Sequence, residues 1–354
     1  MTTAPEPRYA RERRIGGITR LAANELPGDP PAPVRAAVLN NARINRYPDP
    51  AYAPLHNALA EQLRTSSEQI MLGAGSSSVL QRLIRVVCAR PGDAVMWATP
   101  AFEAFSIFAR QAGAVAQRVP TQADGSVDLE AMLAAVTAHT RMIILVNPHN
   151  PTGAVVHGDE LRGFLDRVGE GVVVVLDEAY RDFCDDPRVT DGAELARARW
   201  SAGHHNVVVV RTFSKAYGLA GLRVGYGIAP AGLARQVRDA GVPREVGIQA
   251  EIAAVAALKA RSAMRENVER IIGERARVLT ELRRIGYAPG DSHGNFVWLP
   301  LAEDSGRFAE HCFADGVLVL DIAERGVRVS IGHPTDNDCF LRSAHTWVTG
   351  RVAV

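Results

Sequence analysis

The chain has 354 residues, 47% of them hydrophobic and 22% charged, the composition of an ordinary globular protein long enough to need two cores. Forty Lys and Arg against 39 Asp and Glu leave a formal net charge of +1, which gives no ground for nucleic acid or an anionic membrane as partner. No apolar run is long enough to span a bilayer, and the basic tail from Met1 to Arg14 lacks the apolar segment of a signal peptide. Cys88, Cys184, Cys312 and Cys339 form no C-x-x-C pair and read as reduced thiols of a cytoplasmic protein. No metal site is expected, and His204-His205 reads as a solvated loop pair.

In chain order, Pro33 to Asn41 and Pro54 to Leu63 are predicted helices, the second with its proline in the first turn. Between them Arg46-Tyr47-Pro48-Asp49-Pro50 breaks regular structure. Ile70-Met71-Leu72 is a short strand entering Gly73-Ala74-Gly75-Ser76-Ser77-Ser78, after which Val79, Leu80, Leu83, Ile84 and Val87 recur at helical spacing. A glycine-serine loop running into a helix offers free backbone N–H groups and the positive dipole end to an anion. Many helices start at Ser with nothing bound, so this feature alone says little.

Strands and helices then alternate. Ala94 to Trp97, Arg141 to Val146, Gly171 to Leu176 and Asn206 to Val210 read as strands, and Phe102 to Gln111 and the Leu161, Phe164, Leu165, Val168 pattern as helices. Several of the strands are continuously apolar, which predicts an α/β fold with a mostly parallel sheet covered on both faces. Ligands of such sheets sit beyond the carboxyl ends of the strands. From about Val246 helical periodicity dominates as far as Gly286, a C-terminal cap. Asn295 to Leu299, Gly316 to Leu320 and Val327 to Ile331 follow as strands of a smaller α+β unit.

The residues that bear chemistry cluster at strand ends. After four valines comes Arg211-Thr212-Phe213-Ser214-Lys215-Ala216-Tyr217-Gly218-Leu219-Ala220-Gly221-Leu222-Arg223-Val224-Gly225-Tyr226. The Lys215 amine can form a Schiff base with an aldehyde, and Ser214 and Arg223 can hold a phosphate. A surface lysine after a core strand is the ordinary reading of any lone Lys. Asn147-Pro148-His149-Asn150-Pro151-Thr152-Gly153 follows one strand, and Asp177-Glu178-Ala179-Tyr180 ends another. Taken singly, the first is good turn chemistry and the second a strand-ending Asp of the kind that often only caps. In Gly326-Val327-Arg328-Val329-Ser330-Ile331, Arg328 and Ser330 share one face, where a solvated Arg is the usual occupant.

Together and in this order, the lysine segment, the Asn-Pro-Thr-Gly run and the Asp-x-x-Tyr run resemble the fold-type I pyridoxal-phosphate aminotransferases, in the branch containing histidinol-phosphate aminotransferase. The similarity runs from Asn24 to Arg328. It is closest to the actinobacterial-type aromatic aminotransferases, as Tyr180-Arg181-Asp182-Phe183 and Asn295-Phe296-Val297-Trp298-Leu299-Pro300 show. The resemblance implies a large domain with a mostly parallel sheet (45–245), a small C-terminal α+β domain (246–354) and an N-terminal arm joining the small domain (1–44). It implies pyridoxal 5'-phosphate as cofactor, held by Lys215, with Asp177 on the pyridine nitrogen and Asn150 and Tyr180 on the ring hydroxyl. Gly75, Ser76, Ser77, Ser214 and Arg223 correspond to the phosphate cup, and Phe102 to a ring-stacking position that is often Tyr. Tyr47 matches a tyrosine that reaches the phosphate of a neighbouring subunit, implying a homodimer with shared sites. Arg328 matches the fork for a substrate α-carboxylate, and Asn24 the arm that closes over it.

Three departures mark the substrate side. Leu320 stands where the branch usually carries another Arg, unless the strand slips by one residue. Arg244 and Glu245 stand where relatives tend to be apolar or aromatic, and Ser77 and Ser78 where they often have two acids. The leading expectation is a ping-pong aminotransferase moving an amino group between an amino acid with an aromatic or other large side chain and a 2-oxo acid. The alternatives are a decarboxylase or cyclase of the same branch, or a histidinol-phosphate aminotransferase. A cofactor-sensing regulator would need a DNA-binding module, for which the residues before Asn24 are too few.

Overall fold

The computed structural model describes residues 17–41 and 44–352. The basic tail, and with it the first part of the expected arm, lies outside them. Chain order runs β1 (Thr19–Arg20), α1 (Ala32–Leu39), α2 (Ala53–Leu63), β2 (Ile70–Gly73), α3 (Ser76–Val87), β3 (Ala94–Thr99), α4 (Ala104–Ala112) and β4 (Val115–Pro120). Next come α5 (Leu129–Ala134), β5 (Thr140–Val146), α6 (Gly158–Arg167), β6 (Val173–Asp177), α7 (Gly192–Ser201), β7 (Val207–Thr212), β8 (Gly225–Ile228) and α8 (Ala231–Asp239). Then α9 (Ile248–Lys259) and α10 (Arg261–Arg284) lead to β9 (Phe296–Leu299), α11 (Ser305–Ala314), β10 (Val317–Leu318), β11 (Leu320–Ile322), β12 (Gly326–Ser330) and α12 (Pro334–Val352).

Seven strands form the main sheet in the order β2-β8-β7-β6-β5-β3-β4. The five from β7 to β4 are parallel, and β8 runs antiparallel to both its neighbours. The four valines of β7 have a direct physical cause. Val207 and Val209 bury into one apolar layer and Val208 and Val210 into the other, so both faces demand β-branched side chains. The α3 residues Val79, Leu80, Leu83 and Ile84 pack into the second layer, as their helical spacing requires.

The second sheet is antiparallel, in the order β11-β12-β9, with Arg328 on its central strand. The run Gly316 to Leu320, expected as one strand, is two. Val317 and Leu318 pair in parallel with Thr19 and Arg20 of β1, whereas Leu320 to Ile322 pair with β12, so the chain changes partner at Val319. The predicted helix at Phe102 begins later, at Ala104, which leaves Phe102 in the turn before it. Among the described residues no helix is long and apolar enough to cross a membrane, and no group of three or more His, Cys, Asp or Glu is placed to hold a metal ion.

Candidate active site

Parallel β5, β6 and β7 deliver Asn150, Asp177 and Lys215 at their carboxyl ends, while β12 and the 21–24 segment come in from the other side. Asp177 ends β6 and is 6% exposed, with Oδ1 accepting the Ala179 N–H at 3.1 Å. Burial outweighs that hydrogen bond and pushes the carboxyl up to about 7. Lys215 retains some exposure, but its amine is surrounded by protein. Desolvation, helped by repulsion from Arg328 and Arg223, pushes the amine down to about 7. Its Nζ donates to the Ala23 carbonyl at 2.9 Å and lies 5.8 Å from the Tyr180 ring centre.

An anion cradle forms where α3 begins. Gly75 precedes the helix at φ +80°, and no side chain caps the free N–H groups of Ser76 and Ser77. A Cβ on Gly75 would lie 2.5 Å from Arg223 Nη2, and one on Gly225 would lie 2.3 Å from the Ser76 nitrogen, so both glycines are needed for this close approach. Arg223 Nη1 donates to Ser214 Oγ at 3.3 Å, and the Thr212 hydroxyl donates to the same oxygen at 3.0 Å. That leaves the Ser214 O–H free to donate to an anion.

On the opposite wall Arg328 is 7% exposed and lies 5.6 Å over the Phe296 ring. Nη1 donates to Asn150 Oδ1 at 2.6 Å and Nη2 to the Ala22 carbonyl at 2.5 Å. Asn150 therefore has its NH₂ left to donate. Asn24 is fully buried in the left-handed region, at φ +52°. Its N–H and Oδ1 meet Ser330 Oγ, both at 2.8 Å, its Nδ2 donates to the Tyr180 hydroxyl at 3.0 Å, and its carbonyl accepts from Asn295 at 3.1 Å. Asn is one of the few residues that enter this region readily, which suits it to a turn held by four hydrogen bonds to three residues.

Register decides the question of Leu320. Residues directly opposite on antiparallel strands share a face. Arg328 has Leu320 opposite on β11 and Trp298 opposite on β9, so Leu320 lies on the Arg328 face and Asp321 on the other. The two other departures meet in one contact: Ser78 donates to Glu245 at 2.6 Å, and Glu245 lies 2.8 Å from the buried Arg82 guanidinium. An acid from the 241–247 turn thus stands beside the start of α3. Arg244 lies 5.5 Å over the ring of Tyr47, which is 84% exposed. Phe102 is half-buried, edge-on to Phe105 at 5.7 Å.

Sequence reading missed the two backbone carbonyls, of Ala22 and Ala23, that receive Arg328 and Lys215. It also missed Asn295 as the residue that holds Asn24. Carbonyls carry no residue identity, so no sequence signal could have found them. The residues present fit a phosphate-bearing aldehyde. A partly deprotonated amine, a buried carboxylate that gains from a cationic neighbour, and a helix N-terminus beside Arg223 and Ser214 would hold the aldehyde carbon, ring nitrogen and phosphate of pyridoxal phosphate.

The chain matches the model of the family "Aminotransferase class I and II" over residues 17–341. It is 45% identical over 346 residues to an aromatic amino acid aminotransferase of Thermobifida fusca, covering 96% of this chain and 94% of the relative. A relative of the same name from Rhodococcus erythropolis is 42% identical, with 98% and 95% covered. Among solved structures, the histidinol-phosphate aminotransferase from Sinorhizobium meliloti in complex with pyridoxal-5'-phosphate superposes with a TM-score of 0.87 at 27% identity, covering 99% of this chain and 96% of that one. The aspartate aminotransferase from Thermus thermophilus with maleate shares the fold at a TM-score of 0.82 and 23% identity, with 95% and 93% covered. The chain belongs to the class I and II aminotransferases, enzymes that work with pyridoxal phosphate.

Proposed function

We propose that this aminotransferase takes amino acids bearing an α-carboxylate and a large, aromatic side chain, in preference to histidinol phosphate. The observation that carries the proposal is the apolar Leu320 directly opposite Arg328. Arg328 offers a planar two-pronged donor that an α-carboxylate matches. Histidinol phosphate has no α-carboxylate, and its distal phosphate would meet Leu320 where a charge-assisted partner is wanted, a loss of about 1.5–3 kcal/mol. The names of the Thermobifida and Rhodococcus relatives support an aromatic donor.

When bound, pyridoxal phosphate supplies an aldehyde carbon and a ring that withdraws electrons from the substrate Cα. Lys215 Nζ, poised between its charged and neutral forms at neutral pH, moves the proton from that Cα. Asp177, whose buried carboxylate would gain from a cationic partner, would hold the ring nitrogen in its protonated form. Asn150 and Tyr180 would hold the ring hydroxyl, Phe102 would pack on the ring, and Gly75, Ser76, Ser77, Ser214 and Arg223 would hold the phosphate. Arg328 and Asn24 orient the substrate and exclude water, Arg328 exchanging the Ala22 carbonyl for the incoming carboxylate.

A homodimer with shared sites belongs to the same proposal, supported by the large exposure of the aromatic Tyr47. Domain limits near 45 and 246 are supported by the seven-stranded sheet lying wholly between them and the three-stranded sheet wholly after 246. A cytoplasmic setting is supported by four free thiols. The test is a half-reaction screen, following cofactor absorbance as Phe, Tyr, Trp, Asp, Ala and histidinol phosphate are added in turn. The aromatic acids should react fastest, and Leu320→Arg should raise the rate with histidinol phosphate. Faster turnover of histidinol phosphate than of every amino acid would overturn the reading.

A further inference from the structure

Behind the site lies a buried ion pair that the reaction as described does not use. Glu178 follows Asp177 at the end of β6, and Arg211 precedes Lys215 by four residues at the end of β7. Glu178 Oε2 accepts from Arg211 Nε at 2.8 Å and Nη2 at 2.6 Å, a two-pronged contact on side chains 3% and 14% exposed. Its Oε1 accepts the Gly192 N–H at 2.8 Å, and a Cβ on Gly192 would lie only 2.5 Å from that oxygen. Arg211 Nη2 donates also to Asp191 Oδ1 at 3.0 Å, the atom that caps α7 through the N–H groups of Ala193 and Glu194. The Glu178 N–H donates to the Val210 carbonyl at 2.9 Å, so backbone and side chains together join the two strand exits.

Such a pair is a poor choice for stability alone, because an apolar pair of similar volume often serves as well or better. Its place suggests other work. We infer that Glu178 and Arg211 are positioning residues: their pair fixes the exit of β6, with Asp177 and Tyr180, against the exit of β7, with Ser214 and Lys215, and cancels the second carboxylate beside Asp177. The inference rests on the roles of Lys215 and Asp177 given above. The other charged and titratable groups around the pair are Arg181 and Asp182 after β6, Asp191 before α7, Tyr217, Tyr226 of β8 and Arg261 of α10.

The test uses the holoenzyme in three forms: Glu178→Gln, which keeps shape and removes charge, Glu178→Asp, which keeps charge and removes reach, and Glu178→Gln combined with Arg211→Met. Three quantities are read: the pH midpoint of the bound cofactor's absorbance, the half-reaction rate against KM, and the melting temperature without cofactor. Glu178→Gln strands a positive charge and should lower the midpoint, while the double variant, having lost both charges, should return it to the wild-type value. Glu178→Asp should hold the midpoint near wild type. All three should slow the half-reaction on the order of 10- to 100-fold with little change in KM, because the reacting groups are misplaced while the substrate clamp is intact. A Glu178→Gln enzyme that melts lower yet keeps its midpoint and rate would overturn the inference. Should that variant fail to fold, a Glu178→Asp enzyme of wild-type rate, or a double variant of wild-type rate, would do the same. Failure of the underlying assignment shows separately, as lysine-bound cofactor that persists in Lys215→Met.

Discussion

Lys215 should make the cofactor-free protein less stable than it would be without the amine. Its pKa falls from 10.5 to about 7 on folding, chiefly by desolvation, so at pH 7 the unfolded chain holds a proton that the native amine half surrenders. A fall of that size corresponds to a full penalty on the order of 5 kcal/mol. Partial exposure and the hydrogen bond to Ala23, which a variant would lose, reduce the net to about 2 kcal/mol. Lys215→Met, close in length and uncharged, should therefore raise the melting temperature of the cofactor-free protein by a few degrees, while the cofactor attaches no longer. The native pKa lies below the unfolded one, so the gain is full below pH 7 and fades as pH rises toward 10.5. Thermal melts of both cofactor-free proteins from about pH 6 to 10 measure this difference, with other titrations common to the two. A variant that melts no higher than wild type at the acid end of that range, or a difference that ignores pH, would refute the reasoning.

Asp177→Asn should slow proton removal by orders of magnitude in stopped flow with cofactor still bound, each tenfold being about 1.4 kcal/mol of barrier; near-normal rates would remove the residue from that role. Gly75→Ala places a Cβ 2.5 Å from Arg223 Nη2 on a backbone at φ +80°. It should weaken cofactor binding by on the order of 2 kcal/mol in equilibrium dialysis, and an unchanged Kd would show that the cradle lies elsewhere. Borohydride reduction of the holoenzyme should mark Lys215 and spare Lys259, the chain's other lysine, exposed at the end of α9; a labelled Lys259 peptide would contradict the anchor. Mixing inactive Tyr47→Phe with inactive Lys215→Ala subunits should restore activity through hybrid dimers, and verified hybrids without activity would mean self-contained sites.

What was legible in the sequence is what burial and chemistry enforce locally. The β7 valines announce a strand covered on both faces, and the Gly75-Ser76 run announces a helix start because no larger residue tolerates the approach of Arg223. β4 escaped because it is an exposed edge of the sheet: Val115 is 51% exposed, and Gln117 and Arg118 interrupt the apolar pattern that marks a covered strand. The break at Val319 escaped because Gly316 to Leu320 is evenly apolar, while one of its two partners, β12, is close in the chain and the other, β1, lies at its far end. Glu178 and Arg211 look like any other charges along the chain. Only the fold brings them within hydrogen-bonding distance and seals them from water.

The 19–24 segment is no free flap. Thr19 and Arg20 lie in register with Val317 and Leu318, and Leu21 donates to the Leu318 carbonyl while accepting the Ser330 N–H. A cover that ordered itself around each substrate would lose backbone entropy worth roughly 1–2 kcal/mol per residue every time it closed. Here that entropy is lost once, when the protein folds, and the carbonyls of Ala22 and Ala23 already hold the Arg328 guanidinium and the Lys215 amine. Backbone hydrogen bonds tie this segment to the strands around Val317 and Ser330, so a ligand bound beneath it would not have to spend binding free energy on ordering the chain above.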